Sequence, residues 1–239
     1  MTAAREHFYQ VLFSRRDVRG QFLADPVDPE ALARVLWAAH HAPSVGFSQP
    51  WNFILVRDPA VKARVHAAFR RARDAEAGLF AGERRDAYRR LRLEGIVDAP
   101  VNLCITCDRR RGGPVVLGRT RQPDTDLYST VCAVQNLWLA ARAEGLGLGW
   151  VSIIEPAALS AIFQLPEGVV PVAYVCLGRV AYFHDEPELQ ARGWASRVPL
   201  DDLVFDECWG RRDDGDPLRH AIAATSPADM SPGAADVSL

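Results

Sequence analysis

The sequence predicts an α+β fold in one domain, residues 1–210, followed by a tail, residues 211–239. Three observations carry that reading. Of the 239 residues, 49% are hydrophobic and 24% charged, enough apolar material for a full core and too little charge for general disorder. Helical periodicity and β-type runs are interleaved, but their spacing is irregular and lacks the even strand-helix-strand rhythm of a doubly wound sheet. From Arg211 the composition shifts to Asp, Gly, Pro, Ala and Ser, which cannot bury enough surface to order itself, so the tail is expected to be disordered.

Taken in order, Phe8, Val11 and Leu12 share one stripe of a first helix, which runs into Ser14-Arg15-Arg16-Asp17-Val18-Arg19. Asp28-Pro29 opens a second, with Asp at the cap and Pro at the first helical position. Leu32, Val35, Leu36 and Ala39 form its buried face, and Pro43 ends it. Pro43 to Trp51 is too rich in Pro, Gly and Ser for regular structure, and Asn52 to Val56 reads as a buried strand. A third helix starts at Asp58-Pro59 and runs to about Ala72. The charged stretch from Arg70 to Glu94, broken by Gly78 and Gly82, is the least core-like part of the interior. Pro100 to Cys107 is a strand, and Arg109 to Asp124, with three arginines beside Gly112-Gly113-Pro114, an irregular loop. Asp124 to Glu144 is the longest helix, with Leu127, Val131, Val134 and Trp138 on one face and Gly145 at its stop. Gly147 to Ile154 reads as a strand, a short helix follows Pro156, and Val169 to Leu177 is the last strand, where Pro171 calls for an edge or a bulge.

Composition excludes several functions. Lys+Arg 28 against Asp+Glu 30 leaves a net charge of -2, which gives no global attraction to nucleic acid or to an anionic membrane. The first residues lack an apolar leader, and the longest apolar runs fall short of the about 20 residues a membrane span needs, so a cytoplasmic protein is expected. Five cysteines inside hydrophobic segments are the usage of reduced, buried thiols. Cys104 and Cys107 are three apart in a strand and face opposite ways, and the adjacent His40 and His41 diverge on a helix, so no metal is expected. Gly145-Leu-Gly147-Leu-Gly149 follows a helix and precedes a strand, the reverse of the dinucleotide fingerprint. It serves either a tight turn or the close approach of something flat.

Arg15, Arg16 and Arg19 crowd three guanidinium groups around a single Asp17. On an ordinary solvated face they gain little; an anionic ligand such as a phosphate resolves the repulsion. The loop after the second helix supplies Ser44, Ser48 and Gln49 as hydrogen-bonding groups and Phe47 and Trp51 as apolar walls, the ingredients of a ligand pocket.

In this order the segments resemble the nitroreductase-like flavoprotein superfamily: Arg-Arg-x-x-Arg near the start, Pro-Ser-x-x-x-x-Gln-Pro-Trp after the next helix, and Glu-Gly-x-Gly before a late strand. More narrowly, Arg15-Arg16-Asp17-Val18-Arg19, Ser44 to Phe53 and Gly149-Trp150-Val151-Ser152-Ile153 resemble the 5,6-dimethylbenzimidazole synthase family, the flavin-fragmenting branch that makes the lower ligand of cobalamin. Ordinary nitroreductases usually carry Ser where Asp17 stands and do not share the Trp-Val-Ser segment.

The resemblance implies an intertwined homodimer with a central mixed sheet flanked by helices and FMN at the subunit interface. It assigns the phosphate to Arg15, Arg16 and Arg19, with Arg197 as a further arginine. Asp17, Val18, Ser44, Gly46, Phe47, Ser48, Gln49, Gly149, Trp150, Val151 and Ser152 complete the cofactor-binding set. In the family, reduced FMN is the substrate and dioxygen the co-substrate, a tetrose phosphate is released, and a separate flavin reductase supplies the reduced flavin. Asp17 corresponds to a general acid/base and Ser152 to the hydroxyl that steers oxygen, although a serine in a buried strand is more often satisfied by backbone. Gly78 to Glu94 is a candidate lid. Two other functions stay open: an NAD(P)H-dependent nitroreductase or flavin reductase with bound FMN, and a non-catalytic flavin-binding module.

Overall fold

The computed structural model describes residues 2–213 and 215–230. Residues 16–184 form one compact unit, and the described residues of the terminal segments, 2–15 and those between 185 and 230, form another.

The larger unit is built on a four-stranded sheet of β1 (Trp51–Val56), β2 (Val101–Asp108), β3 (Gly147–Trp150) and β4 (Val169–Gly178). Their spatial order is β1-β2-β4-β3 and every pairing is antiparallel. The mixed character implied by the resemblance is confined to a single parallel bridge between Asp17 and Leu148. β2 is central and its first seven residues are buried, so successive side chains feed two cores. Leu103 and Ile105 join Leu32, Val35, Val134 and Leu137 on one face of the sheet. Cys104 joins Val65, Phe69, Leu159 and Tyr174 on the other. Pro171, in a strand with neighbours on both sides, sits at a register shift: Ile105 pairs with Ala173 and Thr106 with Pro171. That is the bulge its missing N–H calls for.

Helices pack on both faces of the sheet. α2 (Pro29–His40) follows the sequence pattern closely: Asp28 accepts hydrogen bonds from the Glu30 and Ala31 amides, and Leu32, Val35 and Ala39 are buried. α3 (Pro59–Ala77) runs past the expected boundary at Ala72, because Arg73 to Ala77 contains no helix breaker before Gly78. Within the charged stretch a further helix, α4, spans Gly82–Arg90. In α5 (Thr125–Ala143) the buried residues include Thr130, Ala133, Val134, Leu137 and Ala141, whereas Val131, expected inside, is 41% exposed. The helix is apolar on most sides, so periodicity alone could not fix its phase. The short α6 (Pro156–Phe163) follows β3, which ends at Trp150 rather than Ile154. Cys104, Cys107 and Cys176 are buried, but Cys132 and Cys208 are exposed, which corrects the expectation for those two; all five are free thiols. Burial pushes the Cys104 thiol up to about 12.

In the terminal unit, α1 (Ala3–Ser14) carries no buried residue, so its apolar stripe is not a core face. It is accompanied by α7 (Glu188–Ala191), α8 (Pro217–Ala224) and α9 (Pro227–Met230). α8 and α9 stand where composition pointed to disorder. Asp216-Pro217 repeats the start signal of α2, with the Asp216 carboxylate accepting from the Leu218 amide. The buried Arg219 donates to Asp201 at 2.8 Å and Asp206 at 3.0 Å. Residues 231–239 of the expected tail lie outside the described residues. No helix among the described residues is long and apolar enough to cross a membrane.

Candidate active site

Arg16 to Arg19 runs as an extra edge along β3. The Val18 amide donates to the Leu148 carbonyl at 3.0 Å, and the Asp17 carboxylate reaches across to accept the Trp150 amide through Oδ1 at 2.9 Å. Its Oδ2 accepts from Arg19 Nη2, also at 2.9 Å. Gln21 Oε1 holds the following turn by accepting from the amides of Arg19 (3.0 Å) and Gly20 (3.2 Å), and Trp138 of α5 donates its indole N–H to the Arg16 carbonyl at 3.1 Å. The glycines of β3 make this approach possible: a Cβ on Gly149 would lie 1.9 Å from the Val18 carbonyl oxygen, and one on Gly147 2.4 Å from Val180. Their role is therefore close approach, while Gly145 (φ +71°) supplies the turn. Beyond β3 the chain is no longer strand. The buried Val151 donates its amide to Tyr174, and Ser152 is exposed, which corrects the reading of a serine inside a buried strand.

The loop entering β1 is the second cluster. A short 3-10 turn spans Val45–Phe47, and the backbone is left-handed at Gly46 (φ 54°), Phe47 (φ 54°) and Gln49 (φ 41°). Each of the two non-glycine positions costs about 1–3 kcal/mol and persists only if its surroundings over-determine it. Several groups do so. The Ser44 hydroxyl accepts the Gln49 amide at 3.1 Å, Ser129 of α5 accepts the Val45 amide at 3.0 Å, and the Gln49 side chain donates to the Phe47 carbonyl. Ser44 and Gln49 are thus occupied in shaping the loop. The Ser48 hydroxyl, in contrast, is buried and finds no hydrogen-bond partner among the described residues. Phe47 is 86% exposed. Trp51 is not a pocket wall: it is buried with Ala42 and Ala133, its indole donating to His40 at 3.2 Å.

These clusters stand at opposite edges of the sheet, since β1 and β3 are its two outer strands. Three inter-strand steps amount to about 14 Å. Ser129 and Trp138 of α5, which hydrogen-bond to one cluster each, are about two and a half turns apart, which gives about 13 Å along the helix. Arg15 and Arg197 belong to the terminal unit: Arg15 closes α1, its amide donating to Val11, and Arg197 is exposed between α7 and the 3-10 turn Leu200–Leu203.

Sequence reasoning passed over the Arg109 to Asp124 loop, which buttresses the second cluster. Asp126 of α5 is fully buried and pairs with Arg109 Nε at 3.1 Å and Arg119 Nη1 at 3.2 Å, while Arg111 donates into the backbone around Pro50. The available signal was an acidic residue in the first turn of an apolar helix, preceded by an arginine-rich loop.

Residues 12–179 match the model of the Nitroreductase family. A 5,6-dimethylbenzimidazole synthase of Rhodospirillum rubrum is 46% identical over 185 residues, covering 77% of this chain and 87% of that one. A protein of the same name from Rhodobacter capsulatus is 39% identical over 208 residues, 87% of this chain and 97% of that one. Among solved structures, oxidized iodotyrosine deiodinase bound to FMN and 3-iodo-L-tyrosine superimposes with a TM-score of 0.64 at 20% identity, over 75% of this chain and 92% of that one, a likeness of fold. The chain belongs to the nitroreductase family, with proteins named 5,6-dimethylbenzimidazole synthase among its relatives.

Proposed function

We propose that the chain is a 5,6-dimethylbenzimidazole synthase that takes reduced FMN and dioxygen, in the cytoplasm, and releases dimethylbenzimidazole and a tetrose phosphate. The observation that carries this reading is Asp17, where ordinary nitroreductases usually carry serine, held against Gly149 and Trp150 with one carboxylate oxygen on the strand and the other on Arg19.

The residues present fit a flavin mononucleotide. The arginine segment supplies charge for the phosphate, with Arg15, Arg16 and Arg19 as its proposed ligands and Arg197 as a fourth. The buried Ser48 hydroxyl has no partner among the described residues, and Gly46, Phe47, Gln49, Val18 and Val151 line the two edges. Reduced FMN supplies the ring carbons and the electrons that dioxygen accepts. Asp17 holds or moves protons as bonds of the substrate break, and Ser152, exposed beside β3, orients the oxygen-bearing face through its hydroxyl.

The separation of the two clusters supports a homodimer in which one copy contributes its β3 edge and its partner the Ser44 to Gln49 loop. Exposed apolar residues on α2 and α5, Trp37, Tyr128 and Val131, favour burial against a second copy. A separate reductase would supply the reduced flavin.

The test is to mix the purified protein with chemically reduced FMN under nitrogen, admit air, and assay for dimethylbenzimidazole. Stoichiometric product is expected. In a parallel assay with NAD(P)H and oxidised FMN, nicotinamide oxidation with the flavin retained would instead select a nitroreductase or flavin reductase, and binding without turnover in either assay a non-catalytic flavin module.

A further inference from the structure

We infer that Arg111 is a positioning residue of the flavin site: its guanidinium fixes the left-handed backbone at Gln49 and so holds the Ser48 hydroxyl toward the ligand. The inference rests on the flavin reading above. Arg111 follows the turn that closes β2, where its amide donates to the Asp108 carbonyl at 3.2 Å. From there one terminal nitrogen, Nη1, donates to the carbonyls of both Gln49 and Trp51 at 2.8 Å. The other, Nη2, donates to Asn52 Oδ1 at 2.5 Å and lies 3.8 Å from the Asp108 carboxylate. The two carbonyls flank Pro50, which has no N–H of its own to anchor the chain. The residues on either side of Ser48 are both at positive φ; their amides are held by the turn and by the Ser44 hydroxyl, and the Pro50 carbonyl by the Asp108 amide, while the fork is the side-chain donor that fixes the Gln49 and Trp51 carbonyls.

The surroundings are shaped for the same purpose. Gly112 (φ +84°) follows Arg111, and a Cβ there would lie 3.5 Å from Ser48 Cβ, so the arginine-bearing loop passes directly beside the serine. A Cβ on Gly46 would meet Val116 at 2.6 Å and the Leu117 carbonyl at 2.9 Å. The loop is itself pinned at both ends by Arg109 and Arg119 on the buried Asp126. A planar fork with donors in fixed directions suits three acceptors at once; a lysine ammonium offers the charge without the geometry.

The experiment compares the parent with Arg111→Ala, Arg111→Lys and, as a control on the same loop, the exposed Arg121→Ala. FMN affinity is read by flavin fluorescence quenching, and ring placement by visible circular dichroism at saturating FMN. Both Arg111 variants are expected to bind about 10- to 100-fold more weakly, with an altered flavin dichroism at saturation, and added guanidinium ion is expected to restore part of the loss in Arg111→Ala alone. Arg121→Ala should match the parent. Parent-like affinity and dichroism in both Arg111 variants would overturn the inference, as would an equal loss in Arg121→Ala, which would point to loop charge. If Arg111→Ala melts before binding can be read, Arg111→Lys decides by the same readouts; if both melt, the residue holds the fold and the inference fails. A parent protein that binds no FMN would sink the flavin reading itself.

Discussion

Asp17 carries two duties on one carboxylate: it pins the arginine segment to β3 and, in the proposed reaction, exchanges protons. Asp17→Asn separates them imperfectly. The amide oxygen can still accept the Trp150 N–H, but its NH2 then faces the Arg19 donor that the carboxylate now accepts. Dimethylbenzimidazole formation should fall about 100- to 10,000-fold, and FMN affinity should fall with the loosened Arg19. A parent-level rate with reduced FMN and air would remove Asp17 from the chemistry. Lys62, the only lysine, gives a second test at this scale. It is buried on α3, its ammonium donating to the Ala99 and Pro100 carbonyls at the start of β2, and desolvation lowers its pKa from 10.5. Between the folded and unfolded values the unfolded chain binds more protons, so this group's contribution to stability rises as pH climbs through that window. Urea unfolding at a series of alkaline pH values should show that rise in the parent relative to Lys62→Met, and parallel curves would contradict it.

Among elements, those with strong local signals were legible. Asp28-Pro29 and the 32, 35, 39 spacing fixed the start and buried face of α2, and Pro171 foretold a bulge. The extent of α5 is legible but not its phase, because an apolar surface around most of the helix leaves periodicity nothing to contrast with. The tail's average composition conceals α8, although Asp216-Pro217 repeats the start signal of Asp28-Pro29. The β3 glycines are visible in the sequence but their purpose is not, since a close approach depends on a segment over a hundred residues away in sequence. Gly149→Ala tests that purpose. The added methyl must displace the Val18 carbonyl, which overpacking puts at about 1–3 kcal/mol or more, and it should disrupt FMN binding as well. Gly145→Ala, with open space around its Cβ and only a positive φ to violate, should lose roughly 1 kcal/mol and keep FMN affinity. Equal effects of the two substitutions in urea unfolding and FMN titration would contradict the assignment.

For the molecule as a whole, the residue types of the candidate site were readable from sequence, but their separation was not. Strand order is a non-local property: nothing in residues 44–56 or 147–152 reveals that β1 and β3 become the two outer strands, and so nothing reveals that the arginine segment and the Ser48 loop stand apart within one chain. In the proposed function that separation is met by a second copy, with opposite edges contributed by different subunits. Mixed dimers test it most directly. Asp17→Asn disables the β3 edge and Ser48→Trp blocks the β1 loop, so each homodimer should be inactive. Random reassociation of the two, after reversible dissociation, should return dimethylbenzimidazole formation to about a quarter of the parent rate, because half of the dimers are mixed and each mixed dimer carries one site free of both substitutions. If the mixture makes no more product than the two variants separately, each chain builds its site from its own edges, and the shared site is contradicted.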